Sequence, residues 1–362
     1  MEFVRLGQSG LKVSRLCLGT MNMGTPQWKP WIFDEQKSEP IVRHALEAGV
    51  NFIDLADFYS AGVGEEVVGR ILGRLARREE IVVTTKVGYD MGTYQNAGGH
   101  SRKHVLDGID ASLRRLGMDY VDIYMLHYFD TATPVEETMG ALNDIARSGK
   151  ARYIGVSTMY TWQLAKIVQI CDRHGWHKPI NMQLQLNLAY REEEREMMPY
   201  CADQGLGVSV FSPLARGLLT CDTASTRNQT DFFTSQMYGD AASREIAASV
   251  ARVARRRGVS AAQIAQAWVL QRKASPACWW VRIRLPSSIA RLVRWEPAWT
   301  LKSCMNSTAT TPRAMSSTTT RQGVVPHANL ALRKAISFNR SRTQHESASQ
   351  RALHQRGVAQ KR

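Results

Sequence analysis

An α/β fold closing as a (β/α)8 TIM barrel, with an N-terminal hairpin, is predicted by three features of the sequence. Short apolar, β-rich runs alternate with stretches of helical periodicity from residue 13 to residue 212, and such alternation builds βαβ units around a parallel sheet. No G-x-G-x-x-G follows the first run, which weighs against an open dinucleotide-binding sheet. Polar residues close nearly every run, and the ends of strands are where a barrel gathers its functional groups at one mouth.

In chain order, "FVRLGQSGLKVSRL" reads as a hairpin turning at Ser9-Gly10 that caps the bottom of the barrel. The strands follow as "VSRLCLGT", "NFIDLAD", "IVVTTKV", "VDIYMLH", "ARYIGVS", "INMQLQL" and "GVSVFSP". Amphipathic segments separate them, including "SRKHVLDGIDASLRRLG", "PVEETMGALNDIARSGK" and "TWQLAKIVQICDRHG". Ser101 is the expected N-cap of a helix over 102–116, stopped by Gly117; Pro134 suits the first turn of the next helix, which Gly149 ends. "SREIAASVARVARRRG" and "SAAQIAQAWVLQR" give two more helices, after which an eighth strand must come.

A chain of 362 residues that is 44% hydrophobic buries a large core. Its first residues lack a basic segment followed by an apolar one, and no run approaches the roughly 18 apolar residues of a membrane span; a cytoplasmic location is expected. The cysteines Cys17, Cys171, Cys201, Cys221, Cys278 and Cys304 are scattered, without a C-x-x-C pair or a histidine at zinc-ligand spacing. They read as reduced thiols, with no metal site. The net charge of +15 is unevenly placed: residues 1–273 hold 32 Lys and Arg against 30 Asp and Glu, residues 274–362 hold 15 against 2. A basic tail attracts phosphates, but no recognition motif accompanies it, so nucleic acid is not the expected partner. A small-molecule carbonyl compound is.

That expectation comes from four strand-end residues: Asp54, Tyr59, Lys86 and His127. Singly, a strand-end tyrosine or histidine is more often packing than chemistry. Lys86 is different, because an ammonium at the inner end of "IVVTTK" loses water and requires a carboxylate, which Asp54 supplies from the neighbouring strand. A tyrosine hydroxyl ordinarily ionises near pH ~10, and an adjacent ammonium lowers that value, making Tyr59 a usable general acid. Neutral His127 hydrogen-bonds a substrate carbonyl oxygen. The reaction such a group serves is carbonyl reduction, given a hydride donor. Asp57, in the same stretch, reads as a solvated loop carboxylate. Trp28 and Trp31 of "PQWKPWIF" read either as a substrate wall, suited to an aromatic or alkyl carbonyl, or as a packed loop lid.

Taken together, "D-x-A-D-x-Y", "T-K-V", "Y-x-L-H", "GVS" and "SPLARG", in this order, resemble the aldo-keto reductase family over residues 1 to about 273. "SLRRLGMDYVDI" and "YREEERE" further resemble a bacterial and fungal branch acting on aryl-aldehyde, ketose or polyketide-type carbonyls. The resemblance implies a catalytic tetrad with Tyr59 as proton donor, Lys86 and Asp54 as its tuning pair and His127 as carbonyl orienter. It also implies NADPH, with NADH left open, lying extended across the barrel mouth. Ser157, Thr158 and Gln183 would hold the nicotinamide carboxamide and Phe211 would stack on its ring. Ser212, Leu214 and Gly217 would wrap the pyrophosphate, with Arg216 as a charge partner. Two alternatives remain: a nucleotide-sensing, non-catalytic subunit of the same fold, and a reductase impaired at its C-terminal end.

The second alternative arises because the pattern breaks after "AWVLQRK". The domain organisation expected is a barrel over 1–273, an atypical closure over 274–302, and a disordered basic tail over 303–362. Cys278-Trp279-Trp280-Val281 must be encoded TGY-TGG-TGG-GTN, and in the neighbouring frame these bases read Leu-Val-Gly, the ending the family has at strand eight. The sequence therefore predicts a departure from the family's reading frame near Ala274–Ala277. Strand eight must then come from "WWVRIRL", or the barrel has two open edges.

Overall fold

The computed structural model describes residues 1–222 and 224–272, together with the backbone of 279–281. Strands β1 (Phe3–Arg5) and β2 (Lys12–Ser14) form an antiparallel hairpin. Its connection spans Leu6 to Leu11, and the left-handed position is Gly7, at φ 60°, instead of the expected Ser9-Gly10 turn. The reason is tertiary: a Cβ on Gly7 would lie 2.4 Å from the Gly205 carbonyl oxygen, so the turn must present bare backbone there. Leu6 and Val13 pack with Cys17, Phe52, Val82, Ile123 and Met125 inside the lower barrel, so the hairpin does plug the bottom.

The barrel runs β3 (Leu16–Gly19), β4 (Phe52–Asp54), β5 (Val82–Val87), β6 (Val121–Leu126), β7 (Ala151–Ser157), β8 (Asn181–Gln185) and β9 (Gly207–Phe211), each parallel to the next. The closing strand β10 (Trp279–Val281) pairs Trp280 with Cys17 of β3 and Trp279 with Val210 of β9. Part of "WWVRIRL" thus takes the place of strand eight; the rest of the predicted closure and the predicted tail lie outside the described residues.

Helices α1 (Glu35–Glu47), α2 (Val63–Leu75), α3 (Arg102–Leu116), α4 (Val135–Arg147) and α5 (Thr161–His174) follow β3 to β7 in turn, and the short α6 (Met197–Asp203) follows β8. After β9 come α7 (Thr226–Thr230), α8 (Phe232–Tyr238), α9 (Ala241–Arg257) and α10 (Ala261–Leu270). Helix α3 begins and ends as its sequence indicates: Ser101 accepts from the His104 N–H and Gly117 stops the helix at φ 65°. Pro134 proves to be the N-cap of α4, one residue before the first turn. Between the helices and the strands lies a continuous apolar layer that includes Ile53, Leu55, Val68, Ile71, Val83, Val87, Ile109 and Tyr124. Strand alternation sends the intervening residues into the barrel. Among the described residues, no helix is long and apolar enough to cross a membrane.

Candidate active site

Three adjacent strands deliver the four expected residues to one end of the barrel. Asp54 ends β4, Lys86 lies near the end of β5, and His127 directly follows β6, with its N–H bonded to the Val87 carbonyl. Asp54 pairs with Thr84 in register, which places Lys86 one pleat further along the same inward face. Lys86 Nζ donates to Asp54 Oδ2 at 2.5 Å, to the Leu55 carbonyl at 2.7 Å and to the Tyr59 hydroxyl oxygen at 3.3 Å. Its three N–H donors are thereby matched, which makes a fully buried ammonium tolerable. The Tyr59 and His127 rings meet edge to face at 5.9 Å.

The electrostatics differ from the sequence expectation at one point. Burial, reinforced by the Asp54 carboxylate, pushes the Tyr59 phenol well above its ordinary value, whereas the sequence predicts a lowering. Asp54 shares the ammonium and offsets its charge, so desolvation dominates. The phenol is therefore held in its protonated form, loaded as a donor. Burial likewise moves Asp54 up to about 6, opposed by Lys86 and Gln183, and moves Lys86 down against the pull of Asp54. Burial, the Lys86 charge and His100 hold the His127 ring well below its usual range, so it is neutral. Its Nδ1 has no hydrogen-bond partner among the described residues.

The residues assigned to a cofactor line the β7–β9 side of the same mouth. Ser157 is buried at the end of β7 and its hydroxyl meets that of exposed, left-handed Thr158 at 3.0 Å. Gln183 of β8 donates to Asp54 Oδ1 at 2.8 Å, tying this side to the tetrad. Phe211 packs with Ala56, Tyr59 and Met21 and keeps part of its ring exposed. Beyond it the backbone coils sharply, with positive φ at Ser212, Ala215, Arg216 and Gly217. A Cβ on Gly217 would lie 2.5 Å from Asn228 Oδ1. Leu214 is buried in the small core beneath this loop.

Arg216 is engaged: it donates to Asp231 Oδ2 through Nη2 at 2.7 Å and Nε at 3.1 Å. Arg227 reaches the same oxygen at 3.3 Å, and the Asp231 charge also acts on Lys29. Three cations thus surround one buried carboxylate at the mouth. Cationic side chains beside a coiled, glycine-dependent loop and a partly buried aromatic ring fit a dinucleotide with an anionic centre.

The two tryptophans separate. Trp28 meets Phe58 at 5.5 Å, whereas Trp31 is buried under the Arg227 guanidinium at 4.5 Å. Phe58 continues to Tyr89 at 4.8 Å, and Tyr89 to His127 at 4.7 Å and to Tyr128 at 5.1 Å. Sequence reasoning missed Phe58, Tyr89 and Tyr128. The available signal is proximity, since each sits within three residues of a tetrad member at a strand end. Asp57 is a correction: it is not solvated but buried, at 1% exposure.

A profile of the aldo/keto reductase family matches residues 15–289. The chain is 42% identical over 294 residues to versiconal hemiacetal acetate reductase of Aspergillus parasiticus, covering 75% of this chain and 85% of that protein. It is 40% identical over 295 residues to a Schizosaccharomyces pombe protein named as a candidate aryl-alcohol dehydrogenase, covering 74% and 84%. An aldo-keto reductase of Metarhizium robertsii is 36% identical over 304 residues, covering 76% and 82%. The chain belongs to the aldo/keto reductase family. It is an oxidoreductase acting on carbonyl groups.

Proposed function

We propose that the protein reduces an aromatic aldehyde or ketone to the alcohol with NADPH, using Tyr59 as the general acid. The observation that carries this reading is the convergence on the Tyr59 hydroxyl: a buried, protonated phenol, 3.3 Å from an ammonium that Asp54 fixes at 2.5 Å. Neutral His127 donates a hydrogen bond to the carbonyl oxygen and so orients it. Tyr59 passes its proton to that oxygen as negative charge develops there, and Lys86 stabilises the phenolate left behind. Asp54 keeps Lys86 aimed at the phenol and Gln183 keeps Asp54 from turning. Bound NADPH would supply the hydride, held by Ser157, Thr158, Gln183 and Phe211 at the nicotinamide end. The loop of Ser212, Leu214, Arg216 and Gly217 would hold the pyrophosphate. Trp28, Phe58, Tyr89 and Tyr128 form an aromatic wall beside His127, which favours a planar substrate through edge and face contacts. One relative is named for an aryl alcohol, which supports an aromatic substrate, and another is named as a hemiacetal acetate reductase, which supports reduction.

The test is NADPH consumption with a panel of aromatic and aliphatic carbonyls, run beside Tyr59→Phe. Loss of the proton donor lowers kcat by about 10²–10⁴-fold. An undiminished rate in Tyr59→Phe removes the mechanism, and NADPH binding with no turnover on any carbonyl favours a sensing role instead.

A further inference from the structure

Asp57 belongs neither to the tetrad nor to solvent. Its N–H continues the β4–β5 ladder by bonding the Lys86 carbonyl, so strand alternation turns its side chain away from Asp54 and toward the helix layer. There its Oδ1 has no hydrogen-bond partner among the described residues, while the Phe58 N–H bonds the carboxyl group. A second carboxyl is close by. Glu65 of α2 is wholly buried, accepting from the Thr85 hydroxyl through one oxygen and from Arg115 Nε at 2.7 Å through the other. Two buried carboxyls therefore face a single guanidinium, and only one of them is matched.

The turn that carries Tyr59 follows Asp57 directly in the chain. Ser60, Ala61 and Gly62 are all left-handed, at φ 53°, 52° and 96°. Non-glycine residues adopt that conformation only where the surroundings hold them. Arg115 is one such support, since a Cβ on Gly62 would lie 2.9 Å from its Cδ. Ser60 Oγ accepts from the Thr25 N–H on the opposite side.

We propose that Asp57 is a positioning residue for Tyr59: its buried carboxyl completes, with the Glu65–Arg115 pair, the packed floor that holds the left-handed turn and keeps the phenol against Lys86. This rests on Tyr59 being the proton donor. Burial and the neighbouring Glu65 charge favour the protonated form of Asp57, with Arg115 and Lys86 opposing more weakly. The groups that face it are Glu65 from α2, Arg115 from α3, Lys86 from β5, Tyr124 from β6, Tyr128 just beyond β6 and Tyr59 itself. Ionisation of Asp57 as pH rises would set an unpaired negative charge beside the Arg115-paired Glu65, under the turn, and disturb it.

The experiment compares Asp57→Asn, Asp57→Ala and Tyr59→Phe in the full chain, measuring kcat, KM for the carbonyl, the kcat–pH profile and thermal unfolding. Asp57→Asn, which is neutral at every pH, retains kcat within about twofold at pH 7 and moves the alkaline limb to higher pH. Asp57→Ala lowers kcat by up to about 10²-fold with KM little changed, the magnitude expected of a displaced catalytic group. Wild-type kcat in a folded Asp57→Ala overturns the proposal, as does an Asp57→Asn variant with an unmoved alkaline limb or a kcat lost as deeply as in the alanine form. Should the alanine variant fail to fold, the asparagine variant alone decides. If Tyr59→Phe stays active, the proton-donor reading has failed; if it is inactive while both Asp57 variants behave as wild type, only the positioning role has.

Discussion

Two groupings of cations and carboxylates sit at the same mouth of the barrel, and their surroundings are opposite. Lys86 and Asp54 are matched one to one, sealed from water and aimed at a single phenol. Lys29, Arg216 and Arg227 gather around Asp231, on segments that follow β3 and β9, with the two arginine side chains 14% and 11% exposed. Full burial makes the first pair sensitive to single protons, because neither charge has water to fall back on. Under the proposed function, partial exposure suits the second to attracting an anion without ordering chemistry. On that proposal, the same residue types therefore serve proton transfer in one place and charge attraction in the other.

That contrast breaks most readily at Lys86. Lys86→Met leaves Asp54 buried without its partner, which costs about 3–5 kcal/mol of stability and lowers kcat by about 10²-fold or more. Denaturant unfolding and steady-state kinetics read both, and a variant as stable as wild type would mean that the pair is not sealed. Arg216→Ala is the counterpart on the other side. It raises KM for NADPH by about tenfold, the value of one charge-assisted hydrogen bond, with kcat little changed and the defect shrinking as salt is added. A drop in kcat at constant cofactor KM would instead tie the loop to the chemistry.

The smallest expected effect is a pH dependence. Asp54 takes up a proton as pH falls through about 6, Lys86 loses its counter-charge, and kcat declines below that pH. The stability contribution has the opposite sign: with a folded value above the ordinary 3.8, proton binding by Asp54 favours the native state at low pH, and that gain is lost as pH rises through about 6. A kcat–pH profile without an acid limb near 6 would separate Asp54 from the catalytic pair.

Much of this was legible along the chain because it depends on neighbours in sequence. The boundaries of α3 follow from Ser101 and Gly117, and the tetrad follows from the polar ends of three successive strands. Phe58, Tyr89 and Tyr128 were not legible as a wall, since three aromatic rings from three loops acquire a common role only when the loops converge. Asp57 misled for a related reason: a carboxylate in a turn is ordinarily wet, and nothing local announces that α2 and α3 close over it. Gly7 likewise has its role fixed by Gly205, almost two hundred residues away in the chain.

By itself, then, the sequence determined the alternation of strands and helices, the order in which Asp54, Tyr59, Lys86 and His127 reach the mouth, and hence the class of reaction. These rest on periodicity and on the short range of backbone hydrogen bonding. Tertiary structure alone decided that the Tyr59 phenol is pushed up instead of down, that Arg216 is shared with Asp231, and that Asp57 is a buried acid. Each of those depends on how much water and how much opposing charge remain around a group, and packing between distant segments sets both.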